Sequence, residues 1–381
     1  MKFIDLFSGI GGFHSALSKV GETCVFSSEI DKDCINVYRN NYSIESGHNI
    51  REVKIDDIPQ FDVLCGGFPC QAFSKAGKQD GLNDTRGTLF FEIERILDAR
   101  RPPYILLENV RNLVSHDTGN TWKVITRNLK QLGYRLTEKP LILSPHQFGI
   151  PQLRERVYIL GYYDPEHIDQ PLDINITPTH SKKDNSIYSI IDPKEDGYKI
   201  SSMEMKVLNV WDEFYKGIKE KVIGFPIWLD YMLSDEDITQ FPAWKQGFIN
   251  KNKQLYLNNK SFIDEWLRKY NNLEDFTPTH RKFEYQAGNN IKSIWEGVIQ
   301  FRPSGIRVKT PDVFPALVAM VQIPIIGKYK RRLSVRECAR LQSFPETFIP
   351  SENQQQAYKQ FGNSVNVNIV EMLYRELIKY H

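Results

Sequence analysis

The chain has 381 residues, enough for two domains, and its 49 basic and 47 acidic residues nearly balance, which excludes a histone-like polycation. Five scattered cysteines, an odd number, do not favour a secreted disulfide scaffold. No stretch reaches the ~20 apolar residues of a membrane helix, and the short polar N-terminus is unlike a signal peptide, so we predict a cytoplasmic protein.

Short apolar segments alternate with amphipathic ones over residues 1–168. KFIDLF predicts a strand that ends in a Gly-rich turn, and Phe13, Leu17 and Val20 then recur at helical spacing. CVFSSEI, FDVLCGG, YILLENV and RVYILGYY predict further strands, with helices at LFFEIERILDAR and TWKVITRNLKQLG. This alternation is typical of an α/β fold with a doubly wound, mostly parallel, Rossmann-like sheet. The tail NVNIVEMLYRELIKY predicts an amphipathic helix that packs back on this domain.

The middle of the chain loses this alternation and predicts a second, smaller and irregular domain. Between Arg281 and Arg332, ten Lys and Arg residues stand against three Asp and Glu residues, with aromatic residues interleaved. Such a segment suits nucleic acid, although an ordinary solvated surface can have the same composition.

The Gly-rich turn DLFSGIGG follows the first predicted strand and precedes a helix. In this position a ligand can approach the backbone and the helix N-terminus, but a plain strand–helix turn has the same appearance. The dinucleotide fingerprint is broken, because His14 stands at its sixth position. Glu29, about 20 residues later at the end of the second strand, has the place of a carboxylate that binds ribose hydroxyls. We therefore predict a nucleotide-like cofactor and no metal.

Further polar residues follow strands at the same predicted edge of the sheet. Cys70 follows FDVLCGG, and Glu108 lies in YILLENV, so a thiolate and a proton-donating carboxylic acid would share the ligand edge. Taken alone, Cys70 could be a buried hydrophobic residue and Glu108 a capping or paired carboxylate. Arg154 and Arg156 alternate along a predicted strand and would project to one face, either toward a ligand or as charges on a solvated strand edge.

The motifs of the chain resemble, in kind and in order, those of the DNA cytosine-C5 methyltransferases. DLFSGIGGF is similar to the first motif of that family, and GGFPCQAFS is similar to its catalytic-cysteine motif. DTRGTLFFEI, ENV, QFGIPQLRERVYILG, RECARLQSFP and GNSVN follow in the family's order, between residues 5 and 366. The resemblance implies a catalytic domain at 1–168, completed by 353–381, and a target-recognition domain with a hinge at 169–352.

The resemblance implies methyl transfer from S-adenosylmethionine to C5 of a cytosine in a specific sequence of double-stranded DNA. Cys70 would add to C6 of the base, Glu108 would protonate N3, and Arg154 and Arg156 would contact O2 and nearby backbone. Because these atoms lie inside the base stack, the cytosine would have to be flipped out of the duplex. Protonation by Glu108 requires a carboxyl with a raised pKa in a closed site.

The resemblance also implies cofactor and DNA contacts. Glu29 would bind the ribose hydroxyls, and three residues would contact the adenine: Ile30, Asp57 and Ile58. The rest of the cofactor pocket would be formed by Phe7, Gly9, Ile10, Gly11, Pro69, Leu89, Asn363 and Val365. The DNA contacts would come from the segment after the cysteine, at Gln71, Ser74 and Arg86.

Double-stranded DNA is the expected partner, and we expect a monomer. A restriction–modification system, the family's common setting, would add a cognate restriction endonuclease. Two alternatives stay open: a tRNA cytosine-C5 methyltransferase with the same motifs, and a catalytically silent DNA-binding relative. The long middle region and PCQAFS favour DNA. One departure from the family is Ala316 after Pro315, where a threonine is usual, so that either Thr310 substitutes for that residue or its contact with the flipped nucleotide is absent.

Overall fold

The chain folds into two compact units. The computed structural model describes residues 1–69, 89–234, 236–317 and 322–380. Over these residues, the first unit comprises Met1–Asn185, Ala316–Met320 and Cys338–His381, and the second comprises Ser186–Pro315 and Val321–Glu337. The catalytic and target-recognition assignments of residues 1–168 and 169–352 stay predictions, because a division by contacts does not say what either unit does.

The first unit is built on one sheet with helices before and after its strands. The strands of this sheet are β1 (Lys2–Leu6), β2 (Thr23–Ser28), β3 (Val63–Gly66), β4 (Tyr104–Val110), β5 (Tyr134–Leu136), β6 (Leu141–Leu143) and β8 (Arg156–Tyr163), and the short strand β7 (Gln152–Leu153) lies outside it. Its helices within residues 1–185 are α1 (Gly12–Lys19), α2 (Lys32–Tyr42), α3 (Leu89–Arg100) and α4 (Asn120–Gln131).

The strand order confirms the predicted α/β fold class with a mostly parallel central sheet. The order is β2-β1-β3-β4-β8-β5, with β6 also paired to β8. The β1–β2, β1–β3 and β3–β4 pairs are parallel, whereas β8 runs antiparallel to β4. Because the chain leaves β1 toward β2 on one side and toward β3 on the other, a crevice opens at the carboxyl ends of these strands.

The short strands of this unit were not predicted. β5 and β6 have three residues each and pair with β8 in antiparallel register. Three residues are too few to show an alternating pattern, so their pairing depends on the long strand beside them. The eight residues of β8 themselves coincide with the predicted segment RVYILGYY.

The second unit places helices against a largely antiparallel sheet. Its helices are α5 (Ser202–Gly217), α6 (Leu229–Met232), α7 (Ala243–Asn258) and α8 (Lys260–Lys269). Its strands are β9 (Ile227–Trp228), β10 (Lys282–Tyr285), β11 (Val298–Arg302), β12 (Gly305–Lys309), β13 (Phe314–Pro315), β14 (Ile325–Ile326) and β15 (Arg331–Arg332). The sheet order is β15-β14-β11-β12-β10-β9, and only the β10–β12 pair is parallel.

Aromatic residues form the core of the second unit. Trp211 of α5 stacks on Phe283 of β10 with ring centroids 4.8 Å apart, and Trp266 of α8 lies 5.7 Å from Trp211. Burying side chains of this size removes much apolar surface from water, which stabilises a unit whose strands are short. The capping box of Ser201 and Glu204 fixes the start of α5.

The last helices return to the first unit. The chain continues through α9 (Val335–Leu341), α10 (Gln354–Asn363) and α11 (Val367–Leu377). The apolar face of α11 is buried, and this helix packs against α1. Lys19 of α1 forms an ion pair of 2.7 Å with Glu371 of α11. The packing leaves the segment between α10 and α11 beside the Gly-rich turn that follows β1.

Candidate active site

A cavity of about 610 Å³ opens at the carboxyl ends of β1, β2, β3 and β4. Its walls come from the turns after these strands, from the start of α3 and from the segment between α10 and α11. Most of the residues predicted for the cofactor line it, namely Phe7, Gly9, Ile10, Glu29, Ile30, Pro69, Leu89, Asn363 and Val365. The three predicted residues that do not line it are Gly11, Asp57 and Ile58.

Glu29 is fixed by backbone donors at the end of β2. One carboxylate oxygen accepts from Gly9 N at 2.8 Å, and the other accepts from Ile30 N at 2.7 Å and Asp31 N at 2.9 Å. Hydrogen bonds to a charged acceptor are among the strongest in proteins, so the turn after β1 and the turn after β2 are joined through this side chain. The Ile30 side chain beside it is 72% exposed.

The Gly-rich turn has conformations that suit glycine and one that does not. Gly9 has a φ of +54°, and a Cβ added there would meet nothing within 4 Å. Phe7 also has a positive φ, +55°, which is uncommon for a residue with a side chain and marks local strain beside the cavity. A Cβ on Gly12 would lie 2.6 Å from Val365, so the missing side chain at Gly12 lets the late segment pack against this turn.

The predicted adenine contact at Asp57 and Ile58 stays a prediction, although neither residue lines the first cavity. Ile58 is buried in the same hydrophobic cluster as Ile50, and Asp57 lines a second cavity. Asn49 and Ile50 line the first cavity instead. The sequence pattern missed them because they lie in an irregular segment between α2 and β3. A backbone hydrogen bond of 2.7 Å, from Glu29 N just after β2 to the Ser46 carbonyl oxygen, attaches this segment. A pattern of hydrophobic residues in the sequence does not predict such a bond.

Glu108 is a buried carboxyl on the cavity wall. Its side chain forms an ion pair of 3.0 Å with Nε of Arg156, and residues 108 and 156 belong to the paired strands β4 and β8. Burial raises the pKa of Glu108, and the nearby guanidinium groups of Arg156 and Arg154 oppose that shift. Desolvation therefore favours the protonated acid that proton donation requires.

Asn109 connects β4 to the turn that leads toward the predicted cysteine. Its amide donates to the Phe68 carbonyl oxygen at 2.8 Å in a buried environment. Pro69 lines the cavity, and Cys70 comes next in the chain. Cys70 and the predicted DNA contacts Gln71, Ser74 and Arg86 lie outside the described residues.

Arg154 does not project from the same strand as Arg156, because β8 begins at residue 156. The Arg154 side chain is 3% exposed and donates to three carbonyl oxygens, those of Leu317 and Gly362 at 2.9 Å and of Ser364 at 2.8 Å. Burial and the neighbouring Arg156 lower its pKa to about 9. Its observed contacts fix the backbone beside the cavity.

Other predictions concern metals, membranes and Thr310. Within the described ranges, no group of three or more His, Cys, Asp or Glu side chains could hold a metal ion. None of the helices in those ranges is long and apolar enough to cross a membrane. The Thr310 hydroxyl donates to Asp312 at 2.6 Å, and both alternatives for this residue stay predictions.

Comparison with known proteins identifies the family to which this chain belongs. The family model described as C-5 cytosine-specific DNA methylase matches residues 1–379. The chain belongs to this family. The methylase therefore acts on C5 of cytosine in DNA, as its motifs predicted, and the alternative of an RNA-modifying enzyme is not favoured.

Characterised relatives match over nearly the whole methylase. Type II methyltransferase M.AluI of Cellulosimicrobium cellulans is 32% identical, over 99% of this chain and 92% of its own. Type II methyltransferase M.HgiCI of Herpetosiphon aurantiacus is 35% identical, over 100% and 98%. A solved structure, a putative DNA modification methyltransferase encoded within an E. coli prophage, has a TM-score of 0.56 at 20% identity, over 100% and 99%. At that identity, the structural likeness supports the fold alone.

Proposed function

We propose that this methylase modifies one cytosine within a specific sequence of double-stranded DNA and that it binds S-adenosylmethionine in the cavity of the first unit. The observation that carries the proposal is that Glu29, Glu108 and Pro69 line the same cavity. Pro69 is the residue before Cys70. In this proposal Glu29 binds the cofactor, Glu108 is the acid and Pro69 leads to the thiol, and their shared cavity supports these roles.

The donor set of the cavity fits S-adenosylmethionine. Glu29 is an acceptor for ribose hydroxyls, and its backbone bonds hold the carboxylate at the cavity wall. Ile30 and Ile50 offer apolar surface for an adenine ring, and Asn49 adds an amide beside them. When bound, this cofactor supplies an electrophilic methyl group for C5 of the base.

The chemistry of the base falls to Cys70 and Glu108. We assign the Cys70 thiolate to addition at C6, which breaks the aromaticity of cytosine and makes C5 enamine-like. Glu108 would protonate N3 as the C6–sulfur bond forms, and its raised pKa supports that role. After C5 has gained the methyl group, a solvent base takes the C5 proton, the C6–sulfur bond breaks to release the Cys70 thiolate, and N3 returns its proton to Glu108, which restores the ring. The target base has to leave the duplex stack to reach these groups.

The two arginines have different roles in this proposal. Arg156 lies within 3.0 Å of Glu108, so it can orient the carboxyl and contact O2 of the cytosine. Arg154 donates to the backbone at residues 362 and 364, next to Asn363 and Val365 on the cavity wall. We therefore propose that Arg154 supports the cofactor pocket instead of binding the base.

A covalent trap tests the proposal. Duplex DNA that carries 5-fluorocytosine at the modified position should form a stable adduct with the enzyme in the presence of S-adenosylmethionine, since fluorine at C5 blocks the final elimination. The adduct is measured by denaturing electrophoresis and intact mass. Cys70→Ala should abolish it. Cys24→Ala, which changes a free cysteine that does not line the cavity, should not.

Two results would contradict this assignment. An adduct with Cys70→Ala equal to that of the unchanged enzyme would move the nucleophile elsewhere. Methylation of transfer RNA in place of DNA by the same preparation would revive the RNA-modifying alternative. Bisulfite sequencing of DNA from cells that express the enzyme identifies the modified sequence and supplies the duplex for the trap.

The names of the relatives support a role in protecting DNA from a restriction endonuclease. M.AluI and M.HgiCI are Type II methyltransferases, so we propose that this enzyme is the modification partner of a restriction endonuclease and acts as a monomer in the cytoplasm, where its DNA lies. DNA from expressing cells should resist an endonuclease that cuts the modified sequence. Sedimentation of the purified enzyme tests the monomer.

A further inference from the structure

Gly11 differs from the other glycines of the first motif, since it does not line the cofactor cavity. Its φ is +84°, and a Cβ added there would lie 2.2 Å from Cε2 of Tyr42. Gly9, by contrast, has open space at the same place. The missing side chain of Gly11 therefore accommodates the Tyr42 ring, whereas that of Gly9 opens on the cavity.

Tyr42 contacts the back of the Gly-rich turn through both its hydroxyl and its ring. The hydroxyl donates to the Gly11 carbonyl oxygen at 2.8 Å and lies 2.6 Å from the Ser15 hydroxyl. The ring stacks on His14 with centroids 3.9 Å apart and an interplanar angle of 16°. Gly11 and His14 flank the start of α1, so these contacts fix the turn against the first residues of that helix.

The position of Tyr42 is itself set by elements of the cavity. Tyr42 is the last residue of α2, and Ser43 ends the helix with a φ of +53°. The same helix begins just after Glu29, Ile30 and Asp31, which line the cavity. Glu29 holds the Gly-rich turn from the cavity side, through Gly9 N, and Tyr42 holds it from the opposite side, through Gly11 O.

We propose that Tyr42 is a positioning residue for cofactor binding, which acts by fixing the Gly9–Gly12 backbone against α2. This inference rests on the proposed S-adenosylmethionine site and adds a residue that none of the sequence motifs contains. Without the Tyr42 hydroxyl, the turn would still form but would sample more conformations, and binding would have to select the competent one. Affinity for the cofactor should fall, while the rate at saturating cofactor should stay close to its original value.

The principal test is Tyr42→Phe in the full-length enzyme, which removes the hydroxyl and keeps the ring. We expect the Kd for S-adenosylhomocysteine and the KM for S-adenosylmethionine to rise about 3- to 10-fold, the range that one buried hydrogen bond gives. kcat and the KM for DNA should change less than about twofold. Calorimetric titration gives the Kd, and steady-state kinetics separates KM from kcat.

Tyr134→Phe is the matched control. The Tyr134 hydroxyl donates to the Pro102 carbonyl oxygen at 2.9 Å, in the same unit and away from the cavity lining. Each variant loses a hydroxyl-to-carbonyl bond, and Tyr42→Phe also loses the contact with the Ser15 hydroxyl, so the melting temperature should fall in both and at least as far in Tyr42→Phe. Only Tyr42→Phe should weaken cofactor binding. Equal cofactor affinity in both variants would overturn the positioning role.

A double-mutant cycle tests the pairing of Gly11 with Tyr42 directly. Gly11→Ala adds a Cβ that meets the Tyr42 ring, so it should weaken cofactor binding strongly in the unchanged enzyme. In a Tyr42→Ala background the same Gly11→Ala change should cost at least threefold less affinity. Strictly multiplicative effects would contradict the pairing. If the unchanged enzyme bound no S-adenosylhomocysteine, the proposed function would fail instead.

Discussion

Each of the two units contains a buried arginine, and only the arginine of the second unit is paired with a carboxylate of its own. In the second unit, Arg331 forms two hydrogen bonds with Glu337, at 2.7 and 2.8 Å, and both side chains are almost fully buried. In the first unit, Arg154 donates to backbone carbonyl oxygens, and the carboxylate of Glu108 is paired with Arg156. Arg331 and Glu337 of the second unit form a closed ion pair, whereas Arg154 of the first unit leaves a positive field beside the cavity.

This difference separates a positive charge that can act on a bound base from a pair of charges that cancel each other. Addition of a thiolate to cytosine puts negative charge on the N3 and O2 side of the ring, and a fixed positive field stabilises that charge. In a closed pair such as Arg331 with Glu337, the two charges cancel and leave no such field. This pair therefore contributes to the stability of its own unit. Chemistry should therefore depend on the first unit's polar groups, and the second unit's buried pair should affect stability.

Glu108→Gln gives the largest expected effect. It removes the proton donor and keeps a side chain of the same size, so we expect kcat to fall about 10²- to 10⁴-fold. Affinity for S-adenosylhomocysteine should stay within about twofold, as measured by calorimetry. Loss of cofactor binding in this variant would mean that Glu108 supports the pocket and does not donate the proton.

The pH profile gives an independent check of Glu108. Because its pKa is raised in the folded enzyme, the carboxyl keeps its proton above the ordinary range, and activity should decline as pH rises through that pKa. The decline should be absent from the residual activity of Glu108→Gln. An unchanged alkaline limb in the variant would assign that titration to another group.

Glu337→Gln should destabilise the protein by about 3–5 kcal/mol, because it leaves the buried Arg331 without its charge partner. Urea denaturation measures this loss. Replacing both residues together, with Arg331→Met and Glu337→Leu, should restore much of the stability, because neither charge is then buried alone. If the single variant kept its stability and lost kcat, the contrast between the two arginines would be wrong.

His14 should make the first unit sensitive to acid. Burial lowers the pKa of His14 to about 4, from an ordinary value of 6.5. Between these values the unfolded chain binds a proton that the folded chain does not, so stability should fall as pH decreases from 6.5 toward 4, by about 3 kcal/mol in all. His14→Phe keeps a ring against Tyr42 and should flatten this dependence in thermal melts at several pH values.

Ser201→Ala gives the smallest expected effect. Ser201 caps α5 of the second unit with a reciprocal capping box, and its loss should cost about 1 kcal/mol. The melting temperature should fall slightly, with kcat unchanged. An exposed residue of the second unit would then also affect stability and not catalysis. A change in kcat would show that α5 influences catalysis.

The sequence predicted the parts of the fold whose pattern is local. β4 and β8 occupy the predicted segments residue for residue, because each contains a short apolar run, YILL or VYIL, of the length and composition of a buried strand. The second unit was predicted only as an irregular domain, whereas it contains helices and a sheet whose strands, of two to five residues, are too short to show a pattern. The family motifs located Glu29 and Glu108 at the cavity, since strand ends in a parallel sheet share one edge. They did not predict Asn49 or Tyr42, whose positions depend on side-chain packing.

The contact between Gly12 and Val365 has a consequence for synthesis of the enzyme. The turn after β1 is synthesised long before the segment around Val365 that packs against it. Until then the cavity lacks one wall, so a nascent or truncated chain has no complete place for a cofactor. We therefore expect methylation to become possible only once Val365 has been synthesised and has packed against Gly12.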